Sequence, residues 1–104
     1  MENKLIGNRF LMDVGVLKTE LYFESDNTMV FKILDGGTLQ KKGNSESVQT
    51  VIAEIRPYVY MVAWKEASGA TVTHVEDHEN GIIYSNATLP DGSFHTMKGT
   101  IQPL

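Results

Sequence analysis

YVYMVAWKEASGATVTHVEDHENGIIYSNATLPDG, residues 58–92, decides the fold. It reads as three β-strands, Tyr58–Glu66, Ala70–Glu79 and Ile82–Leu89, joined by turns at Ser68-Gly69 and Asn80-Gly81. Asn-Gly between alternating runs is the strongest short hairpin signal a chain can carry. On the first strand, period two sets Tyr58, Tyr60, Val62, Trp64 and Glu66 on one face and Val59, Met61, Ala63 and Lys65 on the other. Aromatic rings with one carboxylate on a shared face are what a small closed barrel turns inward, around a ligand.

Working outward, strand signals continue in both directions. Val16–Glu24 alternates Leu17, Thr19, Leu21 and Phe23 against a more polar set. Ser25-Asp26-Asn27 is a turn cluster, and Thr28–Leu34 then sets Met29, Phe31 and Ile33 on one side. Asp35-Gly36-Gly37 breaks the run, and the polar stretch Thr38–Ser47 reads as a loop or frayed edge strand. Val48–Arg56 is the next strand, stopped by Pro57, which has no N–H to donate. Pro90-Asp91-Gly92 marks a turn before the last strand, Ser93–Gln102, and Arg9–Asp13 supplies a short first one. No 3.6-residue stripe of useful length interrupts this pattern. The expectation is an all-β chain, a small eight-stranded antiparallel up-and-down barrel. An interior of that size is either filled by side chains or holds one small ligand. Closure would also remove exposed edges.

Composition narrows the function. A chain of 104 residues is expected to form a single domain, residues 1–104. Its net charge is −4 and its basic residues are scattered apart from Lys41-Lys42, so a nucleic-acid partner is not expected. No apolar run approaches the roughly 18 residues of a membrane span, so no membrane partner is expected. With no cysteine and no opening signal segment, the expected location is cytoplasmic. Neither a dinucleotide-binding nor a phosphate-binding glycine motif is present, and no cofactor is implied. Asn86-Ala87-Thr88 matches a glycosylation triplet but lies inside an expected strand.

Two groups carry chemistry. Glu66, beside Trp64, would have its pKa raised if desolvated, and would then serve as an acid or base; in the alternative it sits in water at the strand end. His74, Glu76 and His78 share a face at two-residue spacing, a set able to ligate a divalent metal, but the Asn80-Gly81 turn suggests a solvated tip at His78-Glu79 instead; no metal is expected. The turn at Ser68-Gly69 leaves His74 open. An even loop pairs Trp64 with Thr73. One extra residue puts Val72, His74 and Glu76 on the Trp64 face, because a one-residue slip exchanges the whole set.

Ile6-Gly7-Asn8-Arg9-Phe10, LYFESDNTMVFKILDGG and VYMVAWKEASGATV resemble, in that order, the phenolic acid decarboxylases, small lipocalin-like (calycin-like) barrels. The tail HVEDHENGIIYSNATLPDGSFHTMKGTI resembles the small MoaF-like proteins. The first resemblance implies Glu66 as acid/base, places Lys41 or Lys42 nearest the family's loop arginine, and favours the slipped register. It also departs from the family: Met12 and Val14 stand where two tyrosines clamp the substrate carboxylate, and neither side chain donates a hydrogen bond. Decarboxylase activity is therefore disfavoured. The expected function is binding of a small apolar or aromatic metabolite by Thr19, Leu21, Phe31, Tyr60, Trp64, Glu66, Val72 and His74. The alternatives are a small lyase or isomerase using Glu66, and a filled barrel acting through a protein interface. Barrels of this type often pair, so a homodimer is compatible, though no stripe marks its interface.

Overall fold

The computed structural model describes residues 4–37 and 40–104. They form eight strands: β1 Arg9–Asp13, β2 Lys18–Phe23, β3 Thr28–Asp35, β4 Ser45–Arg56, β5 Val59–Lys65, β6 Thr71–Asp77, β7 Ile82–Thr88 and β8 Phe94–Pro103. Each pairs antiparallel with the next, and β8 returns to β1, so the barrel is closed. None of the described residues forms a helix able to cross a membrane.

Alternation builds the wall. Thr19, Leu21 and Phe23 on β2 and Met29, Phe31 and Ile33 on β3 are all buried, while their neighbours in sequence are not. Burying one such large apolar side chain stabilises the fold by roughly 1.5–3 kcal/mol. Closure depends on Gly99 in β8. A Cβ there would lie 1.9 Å from the Asp13 carbonyl oxygen, so only glycine lets β1 and β8 approach.

The two ends of the barrel differ. At one end Leu5, Phe10, Phe23, Tyr60 and Ile83 pack into a closed floor. The Lys4 backbone N–H donates to the Tyr60 hydroxyl there at 3.2 Å, tying the chain's start across that end. The other end carries the β1–β2, β3–β4, β5–β6 and β7–β8 connections and is open.

Several boundaries move from expectation. β4 begins at Ser45, because Ser45, Glu46 and Ser47 pair with Lys32, Phe31 and Val30. Of the expected loop at 38–47, Thr38 and Leu39 lie outside the described residues. Tyr58 is no inward strand residue: it follows Pro57 in a tight turn at φ 69° and is 44% exposed. A register shift between Glu54 and Arg56 accompanies the turn, and Val59 and Tyr60 are then both buried.

Candidate functional site

The β5–β6 hairpin settles the register. The Glu66 N–H donates to the Ala70 carbonyl at 2.8 Å and the Gly69 N–H to the Glu66 carbonyl at 2.9 Å, leaving residues 67–69 as the loop. Gly69 takes φ 99°, as the last residue of such an odd loop needs. The odd loop pairs Trp64 with Val72, Val62 with His74 and Tyr60 with Glu76. All six face inward, and His74 is a pocket-side residue rather than a surface one.

A cavity of about 60 Å³ lies beneath the open end. Leu21, Phe31, Ile33, Trp64 and Val72 give it an apolar wall. Thr19, His74 and Ser85 add polar atoms deeper in, and Gln40, Glu66 and His95 stand with Leu17 and Leu89 nearer the mouth. Seven of the eight residues named from the sequence line this space. Tyr60 does not: it points inward but belongs to the closed floor, with its hydroxyl on Lys4. Met12, Ser85, Ala87 and Met97 also line the cavity. Their alternation was readable, but small residues such as Ser85 and Ala87 give no signal that they face a space rather than a core.

Trp64 anchors one side. Its ring meets His74 edge-on at 4.8 Å and tilts against Phe31 at 6.3 Å. Its indole N–H donates to Glu66 Oε2 at 3.2 Å. Glu66 is half-buried, in the loop after β5 rather than free in water. Burial raises its pKa above the ordinary value, the Trp64 hydrogen bond opposes that rise, and the nearby negative charge of Glu46 adds to it. Glu46 in turn accepts the Ala67 N–H at 2.8 Å, fastening the loop to β4.

Below His74 the barrel holds a buried polar chain. Glu76 has no exposure; its Oε2 lies 3.2 Å from His74 Nδ1 and its Oε1 2.9 Å from His78 Nε2. Burial works against its charge, but the hydrogen bonds from the two imidazoles, and positive charge on that pair of rings, prevail and hold its pKa below the ordinary value. His78 is thus not a solvated tip. The β6–β7 loop runs from 78 to 81, and the His78 ring folds under the floor against Phe10 at 4.6 Å. Glu79 is exposed, as expected. Among the described residues no group of His, Asp and Glu is arranged to hold a metal ion, because each Glu76 oxygen is aimed at a different ring.

With this geometry in place, comparison with known proteins is direct. A family model described as MoaF-like matches residues 6–102, nearly the whole barrel. The chain belongs to the MoaF-like family. This MoaF-like barrel is also similar to a crystal structure from Burkholderia vietnamiensis provisionally named a beta-lactamase, at 24% identity, with 100% of this chain and 99% of that one covered and a TM-score of 0.91. That likeness concerns the fold. No curated protein matches the sequence.

The MoaF-like cavity also lacks the decarboxylase clamp. Met12 lines it where a tyrosine would stand in that other family, and Val14 packs against the core. Lys41 and Lys42 are exposed and do not line it.

Proposed function

We propose that this MoaF-like barrel is a small-molecule-binding module that takes a small apolar or aromatic metabolite at its open end. The observation carrying this reading is the incompletely filled interior: one end is packed shut, and above it lies a cavity of about 60 Å³ with apolar walls and a few polar groups. Pockets for small organic ligands have that composition. The same cavity counts against a wholly filled barrel acting only through an outer face. The test is titration of the protein with a metabolite panel while following Trp64 fluorescence, which reports on the cavity wall. A saturable response to a panel member is expected; silence across the panel would weigh heavily against the reading.

A second reading, a small lyase or isomerase, draws on one observation. Glu66 is a half-buried carboxylate at the cavity mouth with its pKa raised by burial, a shift in the direction that acid/base work by a carboxyl group calls for. A Glu66→Gln variant that binds but no longer turns over a substrate would support it, and unchanged turnover would remove Glu66 from the chemistry. Lactam hydrolysis gains no support from the Burkholderia structure, which shares the fold at 24% identity. The sequence contains no S-x-x-K segment to supply that chemistry's serine and lysine.

A further inference from the structure

The buried chain beneath the cavity dictates what kind of atom the cavity presents. Both Glu76 oxygens are engaged, one by each histidine. An ionised carboxylate only accepts hydrogen bonds, so the ring nitrogen facing it carries the hydrogen. In His74 that nitrogen is Nδ1. Glu76 supplies one negative charge, and two charged imidazoles would leave a net cation in an apolar interior. His78 is 10% exposed and His74 only 1%, so any compensating charge is better solvated on His78. His74 is then a neutral ring whose Nε2 carries a lone pair. No described residue bonds to Nε2, and His74 lines the cavity on the side away from Glu76.

A second, independent feature lies across the barrel. Thr19 Oγ1 is buried and has no hydrogen-bond partner. The Thr19 residue lines the same cavity from β2, four strands away from β6 in the closed ring. A buried hydroxyl left unpaired is costly, so a site that pairs it on filling gains specificity.

Charge completes the description. Among the described residues, no lysine or arginine lines the cavity and Glu66, nearer the mouth, is the one acidic residue that does. An anionic ligand would shed its hydration and meet no counter-ion.

We infer that the cavity takes a small neutral molecule bearing a hydroxyl group, an alcohol or a phenol, which donates its hydrogen to His74 Nε2. Thr19 Oγ1 meets a second polar atom of the ligand or a water bound with it. This rests on the reading of the barrel as a small-molecule-binding module and narrows it. It also separates the protein from the carboxylate substrates that the decarboxylase resemblance implies. The cavity measures about 60 Å³, less than half of the about 150 Å³ of one that encloses benzene, so it takes part of a single ring and not a larger body. The rest of the ring would extend through the mouth past Leu17 and Leu89.

Four probes of similar size test the inference on the whole chain: phenol, toluene, benzoate and benzylamine. The readout is the indole N–H resonance of Trp64, the single tryptophan. Phenol should shift it saturably and bind about tenfold more tightly than the other three, the worth of one good hydrogen bond. In His74→Phe, phenol should fall to the level of toluene while toluene binding persists. If that variant fails to fold, the probe series on the unaltered protein still decides the question. Toluene binding as tightly as phenol would overturn the His74 acceptor. Benzoate or benzylamine binding more tightly than phenol would overturn the neutral class. No response to any of the four would instead sink the binding-module reading itself.

Discussion

Replacing Glu76 by glutamine removes one charge from the interior and leaves the shape nearly intact. The carboxylate accepts from two imidazoles, at 3.2 and 2.9 Å, in a position with no exposure. Glutamine accepts through one oxygen only. Its amide N–H₂ would face the other ring's N–H, donor against donor, until that ring exchanges its tautomer. Hydrogen bonds to a charged group contribute about 1.5–3 kcal/mol each. Losing one and weakening the other, less the relief of desolvation, leaves a net loss of about 2–3 kcal/mol. For a domain of this size that lowers Tm by roughly 10–20 °C. The pH dependence gives a second check. The folded pKa of Glu76 lies below its ordinary value of 4.5, so the unfolded chain binds the extra proton first as pH falls. The contribution of Glu76 is complete above the unfolded value and lost as pH drops through the folded one. Thermal melts of both proteins by circular dichroism, from about pH 7 down to about pH 3, measure this. The gap should be widest at neutral pH and narrow in acid. Equal melting temperatures at neutral pH, or a gap that widens in acid, would refute the bridging role of Glu76.

Thr19→Val should stabilise the empty protein by about 1 kcal/mol, because it replaces an unpaired buried hydroxyl with a methyl group of the same size; denaturant unfolding that shows a loss instead would mean the hydroxyl is satisfied. Gly99→Ala should cost at least about 2 kcal/mol, since its Cβ meets the Asp13 carbonyl oxygen at 1.9 Å and backbone must move at the β1–β8 seam. Amide exchange in that variant should be fastest in those two strands. Glu66→Gln should raise Tm at neutral pH: a folded pKa above the ordinary value means the ionised form is disfavoured by folding, a cost fully present above the folded pKa. The gain should fade as pH falls below about 4.5, where the carboxyl is neutral in both states, and a gain that persists there would point to another cause.

Much of the barrel was legible in the chain. Strand number and order, the inward sets of β2 and β3 and the turn positions all follow from period-two alternation and turn residues, which are local properties. Failures occurred where local signals were overruled. Ser45–Ser47 look like loop but find partners on β3. Tyr58 looks like an inward strand residue, but Pro57 forces the turn onto it. His78 looks like a tip residue, but the Glu76 carboxylate and the Phe10 ring draw it in.

The stretch at 58–92 shows where the division falls. Tyr58 apart, its residues alone determine which side chains share a face with Trp64 and which share a face with His74. They do not determine that those two faces are the same one. That parity rests on two backbone hydrogen bonds in the loop at 67–69, and one residue more or less would have sent His74 to the surface. Only closure of all eight strands then makes an inward residue a buried one, bringing Thr19 of β2 and His74 of β6 to a common cavity. Burial, and with it the raised pKa of Glu66, belongs to the assembled wall, because desolvation depends on every neighbour at once.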